Sequence, residues 1–405
     1  MGRPVFQVGD VFRRLGKAYR EANAGHLDRS QCRVMAAIEA CRTAALGGHI
    51  RQCKKCGYKE ISYSSCRDRH CPTCQGSAAR AWLEARQADL LPVEYFHVVF
   101  TLPQQIAAVA YQNKAVVYGL LFEAAAETLK RIARDPAHLG AEIGFTAVLH
   151  TWGQTLTHHP HVHCIVPGGG LSPDGKGWIA CRPGYFLAER VLSTLFRGLL
   201  LGKLAAAYED KRLEFFSDLA HLAEKSAFSR YVAPLWRLDW VVDCKQPFAG
   251  PQQVLRYLSR YTHRVAISDH RLVEVSNDHV TFTWKDYGDG SRIKHMTLAP
   301  PEFIRRFLLH VLPDGFQRIR HYGFLANGSR TAKLARIREL LPAAPQQEAA
   351  AAALGSATAL EPECAPGSTS DDDRQLTCSE CGGEMEIVET VPKAHRDKVA
   401  RIDTS

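Results

Sequence analysis

Six of the chain's thirteen cysteines stand between Cys41 and Cys74, in CRTAALGGHIRQCKKCGYKEISYSSCRDRHCPTC, and this crowding constrains the fold more than any other feature. Two Cys-x-x-Cys knuckles, Cys53/Cys56 and Cys71/Cys74, share the stretch with Cys41, Cys66, His49 and His70. A knuckle turn presents two thiolates at the separation a tetrahedral zinc ion needs, and the chain between two knuckles folds so as to bring the pairs together. The candidate ligands suffice for one or two zinc sites. The favoured division places Cys53, Cys56, Cys71 and Cys74 around one ion and Cys41, His49, Cys66 and His70 around another. An all-cysteine site is closed and therefore structural, since no coordination position is left for a substrate. Arg51, Lys54, Lys55, Lys59, Arg67 and Arg69 decorate the same stretch, which reads as a DNA-contacting module or as a solvated basic surface.

Properties of the whole chain send these thiols to metal rather than to disulfides. No apolar run reaches about 18 residues, and the opening MGRPVFQVGDVFRR lacks the apolar core of a signal peptide, so a cytoplasmic protein with no membrane partner is expected. Disulfides do not persist in that compartment. With 405 residues, 46% hydrophobic and 23% charged, the chain can bury the cores of two or three domains. Lysine and arginine outnumber aspartate and glutamate by 51 to 42, a net +9 that leans toward a polyanionic partner, nucleic acid first.

Residues 5–45 carry helical spacing (Val11, Leu15, Tyr19, then Val34, Ile38, Cys41) that Gly47 and Gly48 end. SAARAWLEARQADLL predicts a helix over 76–92, and EYFHVVFTLP a strand closed by Pro103. From 94 to 270, strand runs at 97–102, 145–152, 161–166 and 238–242 interleave with helices near 104–134 and 185–225, which predicts an α+β domain with an antiparallel sheet. Residues 271–298 alternate like a hairpin or small sheet, 301–341 read as helical and basic, and the Ala-, Pro- and Ser-rich stretch 343–374 reads as a disordered linker.

THHPHVHCIV, at 157–166, is the most unusual strand candidate. Pro160 suits a strand's first position, after which a period of two sends His161, His163 and Ile165 to one face and Val162, Cys164 and Val166 to the other. Two imidazoles separated by one residue match two ligands of one metal. The preceding run AVLHTWGQT can supply a third, His150 or Gln154, with Gln154 preferred. A pair of surface histidines is the competing reading.

After Gly250, PQQVLRYLSRYTHR opens with a proline suited to a first helical turn and sets Tyr257 and Tyr261 four residues apart on one helix face. Arg256, Arg260 and Arg264 repeat on an adjacent face, placed to follow a phosphate backbone. Alone, the pair reads as part of a buried stripe; beside a metal strand, the two phenols become nucleophile candidates for a phosphodiester. Imidazole ligands suit zinc or manganese better than magnesium.

These blocks resemble the rolling-circle insertion-sequence transposases of the HUH class with two tyrosines. The likeness rests on GGHIRQCKKCGY, SCRDRHCPTCQ, FTLP, HTWGQTLTHHPHVHCIVPGGGL, KQPFAGPQQVLRYLSRYTHRVAIS and EFIRRFLLHVLPDGFQRIRHYGFLAN, across most of the chain from about 32 to 341. The resemblance implies a helical and zinc-binding N-terminal part followed by a ferredoxin-like HUH nuclease with a central antiparallel sheet. It implies His161 and His163 as metal ligands, Tyr257 and Tyr261 as paired nucleophiles, and magnesium or manganese as the catalytic ion. The division expected is an N-terminal helical segment (1–45), a zinc-binding DNA-recognition domain (46–92, with ligands from Cys41), a two-tyrosine catalytic domain (93–270), a basic extension (271–342), the linker (343–376) and a tail (377–405).

The partners implied are single-stranded DNA at element ends and host replication or helicase proteins, since the chain has no GxxxxGK[ST] loop of its own; the oligomeric state is left open. Arg318 and Arg320, with Arg330, Lys333 and Arg336, lie beside His321, Tyr322 and Phe324, an interleaving that suits single-stranded DNA or a helix pair packed on the catalytic domain. In the tail, LTCSECGGEM resembles a C-terminal zinc knuckle of the family, but it holds only Cys378 and Cys381, so no four-ligand site is assigned there. The rival readings are a replication initiator or relaxase with the same chemistry and a non-enzymatic zinc-dependent DNA-binding regulator.

Overall fold

A computed structural model describes residues 4–245, Val254, 265–341 and 377–394; the paired tyrosines and the expected linker lie outside the described residues. The helices are α1 (Val8–Ala22), α2 (Arg29–Ala40), α3 (Gln75–Gln87), α4 (Ala107–Gln112), α5 (Lys114–Arg134), α6 (Glu189–Glu209), α7 (Lys225–Val232), α8 (Pro300–Leu309) and α9 (Arg330–Leu340). The first strands are β1 (Gly48–Cys53), β2 (Lys59–Tyr63), β3 (Tyr95–Thr101), β4 (Phe145–Trp152), β5 (His158–Pro167), β6 (Gly169–Leu171) and β7 (Trp178–Ala180). Next come β8 (Val242–Lys245), β9 (Leu272–Val275), β10 (Val280–Asp286), β11 (Arg292–Leu298), β12 (Ile319–Tyr322) and β13 (Met385–Val391).

The central sheet has the order β12-β4-β5-β3-β8, every neighbouring pair antiparallel. Stripped of its β12 edge, the chain runs β3-α5-β4-β5-α6-β8, the βαββαβ connectivity of a ferredoxin-like fold. Alternation assigns the two faces. Phe96, Val98 and Phe100 of β3 join Val162, Cys164 and Val166 of β5 under α5 (Leu121, Phe122, Leu129) and α6 (Phe196, Leu200, Leu204), forming the main core. Each such apolar side chain removed from water contributes about 1.5–3 kcal/mol. Helix α6 is the one described helix long and apolar enough by composition to cross a membrane, and its leucines lie in this core. Residues of opposite parity, His97, His150, His161 and His163 among them, occupy the other face.

The N-terminal helices form where the apolar spacing places them. Asp28 caps α2 by accepting from the Gln31 N–H at 2.7 Å, and Val11, Phe12, Tyr19, Val34, Met35 and Ile38 face inward. They share one core with Ile267, with Val280 and Phe282 of the sheet β11-β10-β9, and with Phe303 and Phe307 of α8. The buried Asp269 carboxylate accepts from the Val8 N–H at 2.8 Å and the Thr73 hydroxyl at 3.0 Å, fastening three distant segments. The first and fourth segments of the sequence-based division therefore pack as one body.

Several local expectations change: the last strand of the central sheet runs Val242–Lys245 rather than 238–242, and β5 starts at His158, which puts Pro160 inside the strand and not at its first position. The stretch 301–341 is not helical throughout: α8 ends at Leu309, Pro313 and Gly315 (φ +71°) follow in the turn beyond it, and Ile319–Tyr322 becomes the edge strand beside β4. Once the helix is broken, the open edge of β4 offers this run the hydrogen bonds it lacks. The tail is not isolated either, since β13 lies antiparallel along β1 in the sheet β13-β1-β2.

Candidate metal and nuclease site

His161 and His163 emerge on the same face of β5, as the alternation requires, and β-register sets His150 of β4 directly opposite His161. The candidate ligand atoms of the three lie within 4.8 Å of one another. Gln154, the expected third ligand, stands beyond the end of β4 in the turn, its side-chain nitrogen 3.4 Å from the Tyr287 hydroxyl. After a register shift between His150 and Trp152 the pairing runs on to Trp152↔His158 and stops before Gln154, so the side chain that the sheet brings beside His161 and His163 is that of His150.

Neighbours aim the imidazoles. His97 Nε2 lies 2.7 Å from His163 Nδ1, and burial pushes His97 down to about 3, keeping it neutral and able to accept from His163. With Nδ1 engaged there, Nε2 is the ring atom of His163 that could serve a metal. His161 Nδ1 donates to the His159 carbonyl at 2.7 Å, again presenting Nε2, and the ring of His150 stacks on Trp152 at 4.6 Å. Such partners fix the tautomer and orientation of metal-binding histidines. His97 was missed in the sequence, although its parity in YFHVVFT marks it for the histidine face.

Tyr257, Tyr261, Arg256, Arg260 and Arg264 lie outside the described residues. Val254 is described: it is fully buried against Tyr95 and Ile165, and Ile165 follows His163 by two on the same face of β5.

The thiols group differently from the division read along the sequence. Cys41, Cys66, Cys71 and Cys74 form one cluster, with Sγ···Sγ separations of 3.4 Å (Cys41–Cys74) and 3.5 Å (Cys66–Cys74). Cys53 and Cys56 instead meet Cys378 and Cys381. A tetrahedral ion with Zn–S bonds of about 2.3 Å sets sulfurs about 3.8 Å apart, so the first cluster has the compactness and the donor set of a closed zinc site. His49 and His70 are in neither group. His70 is turned away by Asp68, whose carboxylate lies 3.0 Å from Nδ1, and its Nε2 accepts from the Leu312 N–H. His49, the second residue of β1, pairs with Ser62 of β2 on one side and Thr390 of β13 on the other.

A family model described as a transposase zinc-binding domain matches residues 11–102, and one described as a putative transposase matches residues 144–333. A putative transposase, y4qJ, of Sinorhizobium fredii is 63% identical over 341 residues, 84% of this chain and 85% of that protein. The chain belongs to the rolling-circle insertion-sequence transposase family. The transposase is also 28% identical over 291 residues (71% of it, 68% of the relative) to the transposase for insertion sequence element IS801 of Pseudomonas savastanoi pv. phaseolicola. A conjugative relaxase, TrwC, solved with oriT DNA and metal, aligns with 64% of the transposase and 96% of its own chain, at 14% identity and a TM-score of 0.25. That score is too low to superpose individual site residues.

Two arginines of the transposase expected on DNA have internal partners. Arg318 donates to the Gln75 side chain at 3.0 Å, and burial lowers it to about 10. The Arg320 guanidinium lies over the Phe122 ring, 4.3 Å from its centroid, and near Phe316. Arg69 is similarly spent on the Phe316 and Pro313 carbonyls.

Proposed function

We propose that this transposase cuts and rejoins single-stranded DNA at element ends by metal-assisted attack of tyrosine on phosphorus. The observation that carries the reading is the cluster of His150, His161 and His163 on one sheet face, two of its rings held from behind by His97 and the His159 carbonyl. A divalent ion held there, manganese or magnesium, would supply positive charge to the scissile phosphate's oxygens. Tyr257 and Tyr261 are the nucleophiles in this proposal. Chain connectivity supports it: Val254 is anchored against Ile165 beside the histidines, and three further residues span at most about 11 Å.

In each cleavage a phenol loses its proton and its oxygen bonds to phosphorus; the P–O3′ bond breaks, and the departing oxygen takes up a proton as a 3′ hydroxyl. One phosphodiester is exchanged for another, so the step is reversible. A second tyrosine lets one end stay bound while another is cut, which permits strand transfer. Arg256, Arg260 and Arg264 are proposed to follow the DNA backbone, and the Cys41 cluster to hold the recognition module with structural zinc. The work is placed in the cytoplasm, where the DNA is.

The test is a denaturing gel of purified protein with end-labelled single-stranded DNA from an element terminus, with and without manganese. A metal-dependent covalent band retained in part by Tyr257→Phe and Tyr261→Phe and lost in the double variant is expected. Binding without any adduct in the wild type would leave a DNA-binding regulator and sink the proposal.

A further inference from the structure

The tail knuckle and the knuckle of β1 together form a complete ligand set. Cys53 Sγ lies 3.5 Å from Cys381 Sγ, and Cys56 Sγ 3.6 Å from Cys378 Sγ, close to the sulfur spacing of a tetrahedral thiolate site of about 3.8 Å. The backbone is arranged for thiolates: the N–H groups of Lys55 and Glu380 point at Cys53 and Cys378, at 3.3 and 3.4 Å, in the same i-to-i+2 turn on both sides. The tail approaches closely. A Cβ on Gly383 would sit 2.8 Å from the Lys55 Cβ and 3.0 Å from the Cys53 sulfur, and one on Gly47 2.5 Å from the Val391 carbonyl. Strand β13 pairs with β1 from Gly48↔Val391 to Cys53↔Met385, and Lys54 adds a 3.0 Å ion pair to Glu384. Residues 377–394 lie beyond both matched stretches, 11–102 and 144–333.

We propose that Cys53, Cys56, Cys378 and Cys381 bind a second structural zinc ion that clamps the C-terminal tail onto the N-terminal zinc module. The module is then built from both ends of the chain, and a product that stops before Cys378 has half a site and an open β1 edge. Four thiolates brought together carry strong mutual repulsion unless a cation neutralises them, and thiolate donors select zinc among the abundant divalent ions. The clamp holds the tail through the metal, with strand pairing as its guide.

Zinc counted by elemental mass spectrometry on full-length protein carrying His150→Ala, His161→Ala and His163→Ala, so that only thiolate sites are counted, tests the site with no DNA involved. Two ions per chain are expected in that background, falling to one when Cys378→Ser/Cys381→Ser, Cys53→Ser/Cys56→Ser or all four are added. One ion with the four cysteines present, or two in either cysteine pair variant, overturns the site. A specific protease site placed within residues 342–376 tests the clamp: after cleavage the tail fragment should co-purify with the body and leave it on chelation. A tail that stays bound after its zinc is removed, or one that separates while both ions remain, overturns the clamp.

Discussion

His97 Nε2 lies 2.7 Å from His163 Nδ1, and under the proposed function this makes His97 a positioning residue for the metal site. His97→Gln should weaken manganese binding by a factor on the order of 10–100, read by calorimetric titration. His150→Ala should remove it, and Gln154→Ala should leave it unchanged. A Gln154 variant with the weaker binding of the His150 variant would return the third position to the turn. Three imidazoles also bear on the choice of ion. Nitrogen donors favour manganese over magnesium, which prefers oxygen and retains its waters, so adduct formation at equal low concentrations should be faster with manganese. Equal rates would count against an all-histidine site.

At the scale of elements, the edge strand β12 depends on one backbone turn. Gly323 comes directly after it with φ +60°, and a Cβ there would fall 1.8 Å from the Ile143 carbonyl oxygen. Behind the turn Phe324 is buried with Leu91, Leu334 and Ile337, so the glycine joins the sheet edge to a small satellite core under α9. Gly323→Ala should cost on the order of 1–3 kcal/mol through strain and displaced packing, seen as a lowered melting temperature. An unchanged melt would mean that this edge is free to move. The neighbouring His321, bonded to the Thr146 hydroxyl at 3.0 Å, shows why the basic run 318–324 reads poorly as a DNA face: several of its side chains serve the sheet edge.

Across the whole molecule, several histidines are buried in the neutral form. Burial lowers His310 to about 3 and His158 and His321 to about 4. His310 donates from Nε2 to the Leu156 carbonyl and accepts at Nδ1 from the Thr151 hydroxyl, so a proton at Nδ1 would take away the acceptor that this hydroxyl uses. The unfolded chain protonates these groups near pH 6.5 and the folded chain only at lower pH. Stability is therefore full above about 6.5 and falls as the pH drops from there toward the folded values. Thermal melts between pH 7.5 and 4.5 should show this fall, with a shallower slope in His310→Gln. A flat profile would show that these histidines are accessible to protons in the native state.

By itself the sequence determined the features that short-range periodicity and local chemistry dictate. The parity of His161 and His163, the apolar stripe of α1 and α2, the two knuckles and the βαββαβ interleaving are all set by neighbours within a few residues, and local geometry reaches that far. Which candidate ligands meet was decided only by the tertiary structure. His150 rather than Gln154 joins the histidine pair because strand register is a cross-strand quantity, and a one-residue irregularity changes it. Cys53 and Cys56 leave Cys71 and Cys74, their neighbours in sequence, for Cys378 and Cys381 because β13 closes on β1 from the far end of the chain. The order of residues constrains which thiolates can form a turn, whereas which turns meet depends on the packing of the whole chain.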